Sequence, residues 1–414
     1  MRRDRLAVLG GFLLAAALPG SAFATNGYFT VGLDAESKGE AGVGVSSGDG
    51  PEAAALNPAL GVKAGNSVGG GLGFFSPNRD VTTSGGSAPP GYDIANGKFI
   101  SGDDLFLIPY LGANYQLDGE TAVSLLLYAN GGMNTHYGVS PYTKSGGPVG
   151  VDLEQVFITP NLARKVGYGI TLGAAPVFAV QRFAAQGLQP FARQSSDPLS
   201  LTNNSYDYSY GIGVKLGATW DPAEKLTLGV AYQTTTWMTN FDNYRGLFAG
   251  GGNFDVPPQI TAGLTVRPLA TLDLSLEYQR IFYGSVKSIA NAGNYQTPLG
   301  SAEGPGFGWN DVNVFRIGVQ WKVQENLVLR TGFSHATNFT TGGNALFNIL
   351  APATPQNHFS VGAGYDISPN WNISVAYVHA FSSTLNGWNQ NDPTQTIKLR
   401  MDQNEGTIGA TYRF

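Results

Sequence analysis

Between Asn66 and the C terminus, small or polar residues alternate with apolar or aromatic ones. The last stretch is the plainest: Ile408, Ala410, Tyr412 and Phe414 fall on one face, and Thr407, Gly409, Thr411 and Arg413 on the other. Phe359, Val361, Ala363 and Tyr365 likewise oppose Ser360, Gly362, Gly364 and Asp366, and Leu272, Leu274, Leu276 and Tyr278 oppose Asp273, Ser275, Glu277 and Gln279. A period of two is that of a β-strand with one face against an apolar medium. The connections alternate in length. Short turns fall at Asp118–Glu120, Val166–Gly167, Asp221–Glu224, Arg267–Pro268, Gln324–Asn326 and Ser368–Asn370. Long polar loops fall at Ser76–Asp104, Gly138–Gly150, Gly187–Ser209, Asp242–Asn253, Ser288–Asn310, Thr340–Asn357 and Ser383–Gln403. Six turns and seven loops predict an all-β chain of about 14 antiparallel strands, with both termini on the short-turn side.

Alternation alone fits a soluble sandwich or propeller equally well, since a half-buried sheet shows the same pattern. The N terminus separates the two. Arg2, Arg3 and Arg5 precede an apolar run from Leu6 to Leu18, which ends in Ala22-Phe23-Ala24. That is the order of a secretory leader, predicting cleavage after Ala24. No later apolar run is long enough for a membrane helix, so a membrane form must be a closed barrel, which leaves no unpaired strand edge in lipid. The terminal Phe414 fits an outer-membrane strand and a barrel-assembly signal, implying the assembly machinery as a partner. Aromatic residues gather near strand ends, as at Tyr110, Tyr115, Trp220, Tyr232, Trp237, Trp371 and Tyr377. The expected setting is the outer membrane of a Gram-negative cell, in contact with its lipid and lipopolysaccharide.

Composition narrows the chemistry. Three of the 24 basic and one of the 29 acidic residues lie in the leader, leaving a mature net charge of −7. Such a balance points away from nucleic acid. There is no cysteine, so neither disulfides nor thiol chemistry contribute. Gly44-Val45-Ser46-Ser47-Gly48 fits the nucleophile-elbow pattern, but it lacks the strand and helix that an elbow requires. His136, His335, His358 and His379 have no spacing of a metal site, and no cofactor or catalytic residue is expected.

Residues 25–65 stand apart. Rich in Gly, Ala and acids and without sustained alternation, they close on Asn57-Pro58-Ala59-Leu60. Pro58 fixes its own φ and biases Asn57 to an extended backbone, so this is a rigid bend. The stretch reads as an N-terminal plug, or hatch, in the lumen; a disordered tail is the alternative. The expected organisation is a leader over 1–24, a plug over 25–65 and a barrel over 66–414.

The mature start Thr25-Asn26-Gly27-Tyr28-Phe29, the plug closing on Asn57, Pro58 and Ala59, the strand count and the terminal Tyr412-Arg413-Phe414 resemble the FadL family of outer-membrane hydrophobic-compound transporters. The resemblance implies a monomeric channel for passive uptake of long-chain fatty acids or, in some branches, aromatic hydrocarbons. It also implies plug movement and lateral release at an inward kink of the third strand. Here that strand is expected over about Thr121–Tyr137 and contains Gly131 and Gly132, where glycines mark a bulge or bend. A general porin, a barrel lipase and an adhesin are the alternatives.

A fatty-acid carboxylate calls for Arg or Lys. Strand parity turns Lys215, Arg267, Arg316 and Arg330 to the lumen, and extends to Lys287 near the outer mouth. Arg182 stands where the resemblance implies a ligand-binding Arg; parity turns it to lipid unless Pro176 introduces a bulge. Lys287 and Arg182 are the carboxylate candidates. Arg316 and Arg330 are candidates to clamp the acidic plug, which offers Asp34, Glu36, Glu40, Asp49 and Glu52. Leu247, Phe248 and the run Leu346–Leu350 are expected to make an apolar entry groove above the barrel.

Overall fold

The computed structural model describes residues 26–87, 94–143, 146–293 and 296–414. The leader and Thr25 lie outside the described residues. Fourteen long strands form the wall: β1 (Ser67–Gly85), β2 (Phe106–Gln116), β3 (Thr121–Tyr137), β4 (Val149–Gly167), β5 (Ile170–Gln186), β6 (Asp207–Ala223), β7 (Leu226–Gln233), β8 (Gln259–Leu269), β9 (Leu272–Ile281), β10 (Val312–Gln324), β11 (Leu327–Ala336), β12 (Asn357–Ser368), β13 (Trp371–Asn389) and β14 (Asp392–Arg413). Two short segments, Gly97–Ile100 and Trp237–Met238, add to β1 and β6. Each strand pairs antiparallel with its neighbours, and β14 returns to β1 from Ser67↔Arg413 to Gly85↔Gln395, which closes the barrel.

The alternation has the physical meaning that a membrane wall gives it. Leu125, Leu172, Phe178, Leu216, Ile317, Val361 and Ile408 are exposed on the outer face. Their neighbours Ser124, Thr171, Val177, Lys215, Arg316, Ser360 and Thr407 are buried on the inner one. Tyr115, Tyr168, Trp220, Trp321, Tyr365 and Trp371 are exposed near the short turns, forming an aromatic girdle at one interface.

Two expected loops are strand instead. β1 continues to Gly85, and β13 and β14 meet at a two-residue turn, Gln390–Asn391, where a loop over Ser383–Gln403 was expected. The polar outer face of this hairpin hides its alternation in sequence. Leu385, Ile397, Leu399 and Met401 are nevertheless buried on its inner face.

Residues 26–66 occupy the lumen. Helix α1 (Ala35–Gly39) is capped by Asp34, which accepts from the Ser37 amide at 2.7 Å. Helix α2 (Ala53–Leu56) is followed by a 3₁₀ turn over Pro58–Val62. The first contacts β11 to β14 and β13 most of all, whereas the 3₁₀ turn contacts β3 to β6. The segment thus spans the barrel from wall to wall.

Candidate functional site

One interruption in the wall defines the site. β2 pairs with β1 from Asn114 back to Phe106, but with β3 only from Gln116 to Tyr110. Residues 106–109 of β2 therefore have no ladder on their β3 side. At the same height β3 carries a bulge between Ala129 and Gly131, which shifts its register on β4. Phe75, Phe106, Ile108 and Ala129 fill the interruption as a separate apolar cluster, and the Arg79 guanidinium lies 5.7 Å from the Phe106 ring centre.

The N-terminal arm, Asn26–Thr30, takes up the edge that β2 leaves, since β4 occupies the other edge of β3. The Gly132 amide donates to the Tyr28 carbonyl at 3.0 Å, and the Thr30 amide to the Asn130 carbonyl at 3.4 Å. A Cβ on Gly131 would overlap the Tyr28 carbonyl, so glycine there permits the arm's close approach. The rings of the arm enter an aromatic cluster. Tyr28 lies 5.6 Å from Tyr283 and 6.3 Å from Trp309, and Trp309 lies 4.9 Å from Phe339. The Tyr283 hydroxyl donates to the Asn26 carbonyl and accepts from the Tyr28 amide.

Below the arm lies a cavity of about 60 Å³, lined by Phe29, Tyr128, Asn130, Lys215, Glu277 and Arg316 among others. The Lys215 amine is buried, donates to the Ala55 carbonyl and forms no ion pair among the described residues.

The remainder of the plug is fastened by charge. Lys38 and Glu405 form an ion pair with both side chains buried. Arg330 reaches Glu36 at 3.3 Å and Glu40 at 3.9 Å. Arg316 is held by Glu277 on the wall at 2.7 Å rather than by a plug carboxylate, because Glu277 lies opposite it across β9 and β10. Glu277 in turn accepts from the plug amides of Gly44 and Val45 at 2.9 and 2.8 Å, so Arg316 grips the plug through its neighbour. Burial pushes the Glu36 carboxyl up to about 7 and the Glu40 carboxyl up to about 8, with Arg330 opposing the rise in both. Burial also raises Glu52 well above the usual range, reinforced by the charge of Asp34.

The Asn57-Pro58-Ala59 bend is a hub. The Asn57 amide group donates to the carbonyls of Val45 at 2.7 Å and of Ala218 on β6 at 3.1 Å, and accepts from the Ala59 amide at 3.1 Å. Asn161 of β4 donates to the Pro58 carbonyl at 3.0 Å. A Cβ on Gly217 would overlap the Asn57 side chain, so a wall glycine makes room for this contact too.

Several expected placements change. Lys287 lies in a short helix, Lys287–Ala290, beyond the end of β9 at Ile281, so strand parity does not reach it. It is exposed and pairs with Glu303. Arg182 points outward: β5 keeps an unbroken register on β6 through Pro176, so no bulge turns it inward. It pairs with Glu154 at 2.6 Å and stacks over the Tyr206 ring at 4.5 Å. Neither residue lines the cavity. Leu247, Phe248 and Leu346–Leu350 are buried against one another and the lumen, not open as a groove; Tyr137 even donates to the Ile349 carbonyl at 2.8 Å. The Phe414 amide donates to the Asn66 carbonyl at 3.0 Å, tying the chain end to the start of β1. The Ser46 hydroxyl is buried against that of Thr265 at 2.8 Å. Among the described residues no set of metal-ligating side chains converges.

Sequence reading missed Lys38, the one base between Asp34 and Glu52, and Glu405, which parity turns inward on the last strand. It also missed the Tyr283 and Trp309 cluster, whose members come from loops that no periodicity places.

A closed antiparallel barrel with an apolar outer band and a filled lumen defines an outer-membrane barrel protein of Gram-negative type. The chain belongs to the family described as outer membrane protein transport protein (OMPP1/FadL/TodX), whose model matches residues 13–414. Its fold is similar to that of the Pseudomonas putida toluene transporter TodX, at 18% identity and a TM-score of 0.70 over 93% of this chain and 99% of that one. A Pseudomonas aeruginosa FadL homologue superposes with a TM-score of 0.69 at 17% identity, over 94% of this chain and 100% of that one. The Ralstonia pickettii toluene transporter TbuX gives 0.64 at 20% identity, over 93% and 99%. Among curated proteins none matches this chain. The protein is an outer-membrane channel for hydrophobic compounds.

Proposed function

We propose that hydrophobic compounds enter from outside by passive diffusion, pass the aromatic cluster beside the arm, and leave sideways into the membrane between β2 and β3. In this reading residues 25–65 are a hatch in a barrel of residues 66–414, following a leader over 1–24 that is removed. The arm moves off the β3 edge to open the path. The observation that carries this is the stopped ladder at residues 106–109, plugged by apolar side chains where lumen meets lipid. A hydrophobic solute crossing there avoids both the polysaccharide leaf and the aqueous periplasm.

Long-chain fatty acids are the favoured cargo, because Lys215 is a buried cation beside the cavity without a carboxylate of its own. A buried charge is stabilised by an opposite one, and a carboxylate head supplies it while the acyl chain lies among the rings. A second reading, aromatic hydrocarbons, is favoured by the ring-lined cluster and by the likeness to toluene transporters. Uptake of labelled oleate and of toluene by a transporter-null strain carrying this gene tests both. If oleate is the cargo, Lys215→Met lowers oleate uptake several-fold and leaves toluene entry unchanged. Uptake of neither compound by the wild type overturns the transport reading. Gly131→Val with Gly132→Val is expected to abolish uptake; full uptake through an assembled variant barrel overturns lateral release.

A further inference from the structure

The outer wall changes character at the seam where β14 meets β1. From the short-turn end upward, the outward positions of β14 are Tyr412, Ala410 and Ile408, then Gly406 and Asn404, and finally Asp402, Arg400 and Lys398. The facing positions of β1 are apolar through Leu72 and Phe74, then polar from Ser76 to Thr82. Twelve residues separate Tyr412 from Arg400. At ~3.4 Å per residue and a tilt of ~40°, that is a climb of about 30 Å, slightly more than an apolar band of about 25 Å. The charged positions therefore sit immediately above the hydrocarbon, at the level of the outer-leaflet headgroups.

The cluster is basic. Arg400 pairs with Asp402 at 2.9 Å and with Asp80 at 3.4 Å, and Lys98, opposite Thr82, reaches Asp80 at 3.6 Å. Asn78 donates to Asp402 at 2.8 Å, so both carboxylates are occupied in holding the guanidinium. Lys398 is exposed and forms no ion pair among the described residues. Three bases thus stand against two acids on adjoining strands. Arg182, also twelve residues up from the short-turn end of its strand, offers the contrast: there one base faces Asp152 and Glu154, whose side chains take up the guanidinium and the Tyr206 hydroxyl. At that position the acids outnumber the base, the reverse of the balance at the β14–β1 seam.

We infer that Lys98, Lys398 and Arg400 form a docking surface for the phosphorylated glycolipid of the outer leaflet, the lipid anchor of lipopolysaccharide. Lys and Arg pair with phosphate oxygens through charge-assisted hydrogen bonds, and Arg presents a planar fork suited to them. Anionic headgroups gather at basic clusters flanking a membrane span. The apolar outward residues below, Phe74, Ile408 and Val375, lie along the path of the acyl chains. The inference rests on the outer-membrane setting and is independent of what the channel carries.

The test is retention of diphosphoryl lipid A by the purified full chain in neutral detergent, read by native mass spectrometry. Lys98→Gln/Lys398→Gln/Arg400→Gln is expected to lower retention at least tenfold. Lys398→Gln alone, which breaks no ion pair, is expected to lower it about threefold. Lys225→Gln/Lys322→Gln, exposed at the opposite rim, should leave it within twofold. Heat-modified gel mobility checks that each variant barrel is folded. Equal retention by the wild type and the folded triple variant overturns the assignment. So does wild-type retention of the dephosphorylated glycolipid, or of phosphatidylglycerol, as strong as that of the diphosphoryl form.

Discussion

The arm and the base of the plug are neighbours in sequence but are held by different physics. The base, from Asp34 to Val62, is fixed by buried polar groups: the Lys38–Glu405 ion pair, Glu277 on the amides of Gly44 and Val45, and Arg330 beside the carboxyls of Glu36 and Glu40. The arm, Asn26 to Thr30, contains no charged residue. It is held by neutral hydrogen bonds to Asn130, Gly132 and Tyr283 and by stacked rings. Removing one partner of a buried ion pair leaves an uncompensated charge, at a cost of about 3–5 kcal/mol. A neutral hydrogen bond contributes about 1 kcal/mol net, and ring contacts are available to any apolar ligand in exchange. The base is thus built to stay and the arm to be displaced.

That contrast is open to attack at its strongest point. Lys38→Met strands Glu405 and should weaken attachment of the base by about 3–5 kcal/mol. Amide exchange in Ala35–Leu60 would accelerate at least a hundredfold while the strands stay protected. Glu405→Gln added to Lys38→Met should restore most of the protection. Acceleration confined to the arm would mean that the two regions are not distinct. A smaller effect is expected from Tyr283→Phe, which removes the hydroxyl from Asn26 and Tyr28. It should cost the arm about 1–2 kcal/mol, raising exchange at Tyr28–Thr30 roughly tenfold and leaving Ala35–Leu60 unchanged. Parallel acceleration of both stretches would contradict the separation.

The smallest effect is that of pH, and it belongs to the base alone. Glu36 and Glu40 have carboxyl pKa values raised by burial from 4.5 to about 7 and about 8. A raised acid favours its neutral form in the folded state, so the stabilisation is complete below about 4.5. It is lost as pH climbs through 7 to 8. Exchange at Ala35–Gly42, corrected for intrinsic chemistry, should rise severalfold between pH 6 and 9. Glu40→Gln should flatten the rise. An identical slope in wild type and variant would remove these carboxylates from the account.

Much of the barrel was legible because a bilayer leaves few solutions: two-residue alternation, alternating loop lengths and a terminal Phe converge on one architecture. The exceptions have a common cause. Where a strand rises out of the membrane its outer face becomes polar, so Thr384 to Met401 reads as loop although Leu385, Ile397 and Leu399 point inward. Parity misplaced Lys287 because nothing in the sequence marks the end of β9 at Ile281. The plug partners were less accessible still. Arg330 and the plug acids could be paired by sign, but the pairing of Arg316 with Glu277 depends on cross-strand register, which alternation alone does not fix. The stopped ladder at Phe106–Pro109 is a property of three strands at once. Only the glycines at 131 and 132 hint at it in the sequence.

The central claim, that cargo leaves between β2 and β3, has a direct test because the chain contains no cysteine. Ile108→Cys with Ala129→Cys places one thiol on each side of the interruption, within the same apolar cluster. A short, reducible bis-thiosulfonate reagent can then tie the strands together in intact cells. Uptake of whichever of labelled oleate or toluene the wild type carries should fall at least tenfold on cross-linking and recover on reduction. Either single-cysteine barrel should be unaffected. Undiminished uptake through a fully cross-linked barrel would show that cargo takes another route.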